Sequence, residues 1–194
     1  KITQTLSIGG ALTTATTLSV GTTGALVQTL SVGGALTTAT TLSVGTTTAV
    51  VQTLSIGGAS ELTGAVQVES TFSVTNATTL KSTLSIGGTA AVVQTLSIGG
   101  ALTTATTLSV GTTAAVVQTL SIGGAAELTG AVQVESTFSV TNATTLKSTL
   151  SVGNTVAVVQ TLSVGGALTT ATTLSVGTTG AFVQTLSVGG AITL

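Results

Sequence analysis

Apolar and polar residues alternate along this chain in a short cycle that does not lose phase. Cut from Thr5 onward in sixes, the sequence reads TLSIGG, ALTTAT, TLSVGT, TGALVQ, TLSVGG, ALTTAT, TLSVGT, TTAVVQ, and so on. Thr5 to Gly190 divides into thirty-one such units, and AITL opens the next. The second position of a unit is often Leu (Leu6, Leu12, Leu18, Leu30). The fourth is usually Ile, Val or Leu (Ile8, Val20, Leu26, Val32, Val44, Ile56), with Thr there in ALTTAT. The first and third are mostly Thr, Ser or Ala, and the fifth and sixth are rich in Gly, Thr and Gln.

A period of two followed by a break predicts a short strand and a corner. Positions two and four of a strand share one face, and positions one and three share the other. Leu6 and Ile8 are therefore expected inside, with Thr5 and Ser7 outside. Gly9 and Gly10 are expected to supply the positive φ of a sharp turn. Thr, Val and Ile favour strands. A helical reading fails, because the helical period is missing and Gly and β-branched residues recur throughout.

Such a unit predicts an all-β fold, a β-helix or β-solenoid in which three units make a triangular turn and turns stack about 4.8 Å apart. Residues 1–194 read as one continuous repeat region without separate domains. Above the six-residue unit, TLS-(Ile/Val)-G mostly recurs at every second unit, as at Thr5, Thr17, Thr29, Thr41 and Thr53. Residues 53–118 and 119–184 align as 66-residue super-repeats. Each super-repeat holds a variant stretch, ELTGAVQVESTFSVTNATTLKS, at 61–82 and 127–148. Two arrangements fit: one chain coiling alone, or three chains interwound about a common axis; a rectangular coil of four units per turn is spoiled by the seven-unit blocks, which are not a multiple of four. The blocks span four, seven or eleven units, which are not multiples of three. That favours the interwound trimer, since identical units of three chains then meet in every layer. At about 4.8 Å per layer, the lone coil gives a rod of roughly 50 Å and the trimer one of roughly 150 Å.

Composition removes most chemistry. Charged residues make up 4% of the chain, where about 25% is usual. Cys, His, Trp, Tyr, Met, Pro, Arg and Asp are all absent. No thiolate or imidazole is available for metal binding or acid–base work, so no catalytic residue, metal site or cofactor is expected. A net charge of −1, with no Arg, offers no grip on nucleic acid. Polar residues interrupt every short apolar run, which excludes a spanning helix. The three aromatics, Phe72, Phe138 and Phe182, are too few for the girdles of a membrane barrel. No signal peptide is evident; Lys1 opens mid-pattern and Leu194 stops inside a unit, as in a segment cut from a longer chain.

TLSVGGALTTATTLSVGTT and ESTFSVTNATTLKSTLSIGG resemble the shaft repeats of bacteriophage and other virus tail fibres, especially Thr/Ser/Gly/Val-rich fibres of marine viruses. The resemblance covers the whole chain. It implies a trimeric extracellular or virion-surface shaft that holds a receptor-binding tip outside this segment, with no active site to carry over.

Several residues invite sharper readings. Glu61, Glu69, Glu127 and Glu135 could act as acids or cation ligands. Their third and fifth positions instead predict outward, solubilising roles, and Lys81 and Lys147 read the same way, with Glu–Lys pairing between layers. Gln28, Gln52, Gln94, Gln118, Gln160 and Gln184 each close a unit just before TLS. They could form an amide ladder or an anion site, or cap corner backbone groups. Gly9-Gly10 and Gly57-Gly58 lack the Lys and helix of a phosphate loop and read as turns. Asn76-Ala77-Thr78 and Asn142-Ala143-Thr144 match the N-glycosylation sequon. Outward Thr rows raise ice binding, although Thr is spread over all faces. Uncapped ends would leave strand edges able to template stacking, so an end-to-end self-assembling extracellular filament, or an adhesin stalk, is the alternative to the shaft.

Overall fold

The computed structural model describes residues 4–193. These form 32 strands, most of three residues, and no helix. The strands fall into three parallel sheets. The first sheet starts at Leu6–Ile8 and has 11 strands. The second starts at Leu12–Thr14 and has 11, and the third starts at Leu18–Val20 and has 10. Successive strands visit the sheets in rotation, so the chain winds as a triangular β-helix with a six-residue unit on each side. At about 4.8 Å per layer, the coil is a rod of roughly 50 Å.

Every ladder joins a residue to the one three units further along this same chain. Leu6 pairs with Gly24, Leu54 with Phe72, Leu120 with Phe138 and Val156 with Leu174. Of the two arrangements weighed above, the structure has the single-chain coil, not the interwound trimer. Interwound chains would set those partners three layers from each other. The mismatch between block length and turn length does not trouble the single coil, because each block simply begins on the next sheet. Leu6 lies on the first sheet, Leu30 on the second, Leu54 on the third, Leu96 on the first, Leu120 on the second and Leu162 on the third. No face needs like upon like, since inward positions demand only an apolar residue of suitable volume.

The alternation places the core as expected. Leu30, Leu54, Leu96 and Leu120 at position two are fully buried, as are Val32, Ile56, Ile98 and Ile122 at position four. Leu6, Ile8 and Leu12 are only partly buried, because the first turn has a neighbour on one side alone. Backbone groups are satisfied turn to turn, as in Leu30 N–H to Thr47 C=O at 2.8 Å and Val51 N–H to Val32 C=O at 3.0 Å. This pattern lets a chain with almost no charge and a narrow core bury its amides with their hydrogen bonds made.

The corner glycines work differently from expectation. No residue among those described has positive φ, Gly9 and Gly10 included. What glycine supplies is close approach of stacked corners. A Cβ on Gly45 would run into the Val27 carbonyl oxygen one turn below, while the Gly45 N–H bonds the Leu26 carbonyl at 2.8 Å. Gly130→Ala, whose Cβ would meet the Thr112 carbonyl, is expected to lower stability by about 1–3 kcal/mol. Gly10→Ala, whose Cβ would meet open space, should change it by less than about 0.5 kcal/mol. Denaturant midpoints of the two variants check this; equal midpoints would refute the close-approach account.

Candidate functional surface

The charged residues of the variant stretches meet in pairs. Glu61, in the strand Ser60–Leu62 of the first sheet, lies 3.3 Å from Lys81 on the corner one layer up. Glu127, in the strand Ala126–Leu128 of the third sheet, holds Lys147 at the same 3.3 Å. The pairing between layers that the sequence predicts thus occurs within one chain. All four side chains are more than half exposed, so each pair contributes about 0–1 kcal/mol. Glu69 and Glu135 sit exposed on corners. Among the described residues, no three carboxylates converge as a cation site would require.

The glutamines do not form a ladder. Residues at one corner recur at every third unit, and no two of the six glutamines are neighbours in such a column. Gln28 stacks between Gly10 and Thr46, and Gln52 between Gly34 and Ser70. The main chain at these corners carries the bonding instead. The Gln52 carbonyl accepts from Thr71 N–H at 3.3 Å, and the Gln94 carbonyl from Thr112 N–H at 3.2 Å.

Asn142 is exposed at a corner and Asn76 is half-buried at another, while the sequon residues Thr78 and Thr144 point into the core. Outward Thr residues occupy position one on all three sheets. The longest uninterrupted runs are Thr53, Thr71, Thr89 and Thr107 on the third sheet and Thr119, Thr137, Thr155 and Thr173 on the second. Alanines such as Ala35, Ala101, Ala125 and Ala191 bound them. Hydroxyls also pair between layers, Thr23 with Thr40 at 3.3 Å and Thr89 with Thr106 at 3.2 Å. A shallow open depression on the first sheet lies where Ala59 and Ala77 follow Thr41 in the outward column, beside Glu61 and Thr79.

Sequence reasoning overlooked one set of residues. The core contains hydroxyls. Thr38, Thr48, Thr104, Thr144 and Thr170 are buried with no hydrogen-bond partner, whereas Ser60 donates to Thr78 at 3.2 Å. The signal was present in the fourth-position Thr of ALTTAT and, for Thr48 and Thr144, in the second-position Thr of TTAVVQ and ATTLKS. Both positions point inward by the same alternation that places Leu, Val and Ile there. No helix among the described residues is long and apolar enough to cross a membrane.

The fold and surface define a triangular, single-chain β-solenoid with an apolar core and a small-residue hydroxyl coat. Comparison with protein-family models, with curated proteins and with solved structures gave no match to this chain.

Proposed function

We propose that this chain is a passive structural rod, a shaft segment of a viral tail fibre or a similar extracellular appendage. On this reading it performs no catalysis and takes no cofactor, nucleic acid, small-molecule substrate or membrane. Its partner on this reading is a receptor-binding tip outside these residues, and association with other copies of itself belongs to the filament reading below. The observation that carries the reading is the unbroken six-residue frame. Every side of every described turn is one strand and one short corner, and no loop is set aside to form a pocket. Stability in such a stack is close to a sum over neighbouring turns, which suits a spacer of adjustable length.

A self-assembling filament is the second reading, favoured by the stacking itself: each turn pairs in parallel with the next, and an edge strand of such a sheet can accept a strand of another copy. Light scattering after size exclusion, combined with negative-stain imaging, separates the readings. Discrete rods of roughly 50 Å with a single-chain mass are expected at about 4.8 Å per layer. Open-ended filaments would replace the shaft with the polymer. Rods near three times that length with a three-chain mass would overturn the single coil. No thermal hysteresis is expected, because no face carries Thr through all its layers; a clear hysteresis gap would make ice binding the function.

A further inference from the structure

The repeat length and the turn length disagree. Plain blocks Thr5–Gln28, Thr29–Gln52, Thr95–Gln118 and Thr161–Gln184 are each four units long. A turn of four units would place TLS over TLS and Gln over Gln in tandem plain blocks. The coil nevertheless turns every three units. In Gly-rich, nearly identical strands, register is weakly specified, and something must break the tie.

The long blocks, Thr53–Gln94 and Thr119–Gln160, are seven units each. They exceed the plain block by three units, one whole turn. Four and seven both leave one on division by three, so both kinds of block advance the pattern by one sheet. The long blocks also carry contacts that exist only when neighbours lie three units apart. Glu61 reaches Lys81 and Glu127 reaches Lys147. Ser60 donates to Thr78.

Core volume points the same way. Phe72 is fully buried on the third sheet, at a height between Ser60 and Thr78 on the first. Phe138 is fully buried on the second sheet, between the heights of Ala126 and Thr144 on the third. In both, the large ring shares its level with two small inward residues. A four-unit turn would stack Ser60 with Leu84, remove the Ser60–Thr78 bond, and carry Lys81 away from Glu61.

We infer that the two long blocks are register locks, which hold the whole coil at three units per turn against the four-unit turn that the plain blocks tolerate. The lock has a steric part, the phenylalanines and their small counterparts, and a polar part, the ion pairs and the Ser60–Thr78 bond. A misplaced Phe overpacks its level, which costs more than an exposed ion pair contributes, so the steric part dominates. The inference stands whether or not the rod is a fibre shaft.

The chain has no Cys, so engineered pairs report register cleanly. Ser97 and Ala115 are paired across adjacent turns, whereas Ser121 lies on a different sheet. In the otherwise unaltered chain, S97C/A115C should oxidise to an intrachain disulfide at least tenfold faster than S97C/S121C. Replacing both long blocks by plain four-unit blocks should bring the rates within about threefold of each other, as three-unit and four-unit turns coexist. If the tenfold preference survives in a folded variant, the locks are not needed and the inference fails. Should that variant not fold, the full-length F72L/F138L chain decides, since it removes both rings for a small loss of core volume and leaves the ion pairs and the Ser60–Thr78 bond in place. A loss of preference there supports the lock, and an unchanged preference refutes it.

Discussion

Replacing Thr38, Thr104 and Thr170 together by Val is expected to stabilise the rod by about 3 kcal/mol or more, read as a rise in denaturant midpoint at unchanged slope. Each of these hydroxyls is buried without a partner. A buried, unpaired hydrogen-bonding group costs about 1–3 kcal/mol. Val has nearly the same shape as Thr, so the change removes the cost and leaves the packing. Thr38 is stacked between Val20 and Ile56, and Thr104 between Ile86 and Ile122, so the new methyl enters an apolar column. Successive members of the three are separated by eleven units, more than three turns, and their effects should add. Thr78→Val should have the opposite sign. It strands the Ser60 hydroxyl, which now bonds Thr78 at 3.2 Å, and is expected to cost about 1–3 kcal/mol. If Thr78→Val stabilises as Thr104→Val does, the distinction between partnered and unpartnered hydroxyls is wrong.

Phe138→Ala is expected to be among the most damaging single changes, at about 3–5 kcal/mol. The ring is fully buried, stacked between Leu120 and Val156 in the second sheet, and its level already contains the small side chains Ala126 and Thr144. Those neighbours cannot grow into the space, so most of the ring volume stays as a cavity. Phe72→Ala should cost a similar amount. Phe182→Ala should cost clearly less, because Phe182 is only partly buried and packs at the edge of the core. Thermal or denaturant unfolding of the three variants tests the ranking; a Phe182 effect equal to that of Phe138 would contradict the placement of the core.

Much of this was readable in the residues. Once Leu6 and Ile8 are taken as inward and Thr5 and Ser7 as outward, every later position follows, because no insertion breaks the six-residue count. The outward positions of Glu61 and Lys81, and their meeting between layers, follow from the same count. The absence of His, Cys, Arg and Asp was read directly. The whole-turn relation between the plain and long blocks was also legible, but it was hidden behind the more obvious fact that neither is a multiple of three units. The inward Thr of ALTTAT was visible as an exception and not as a buried hydroxyl, since a pattern of positions does not show which donors lack acceptors.

Local sequence determined the strand, the corner and which side chains enter the core, because alternation and corner spacing are properties of a few consecutive residues. It left open whose strand lies above: a repeating unit offers the same edge to its own chain three units on and to another chain. Only the tertiary structure decided that, through contacts spanning a turn. The same contacts decided why the corners need glycine. The φ values there are ordinary, and the demand comes from a carbonyl one layer below, brought close by the stacking itself.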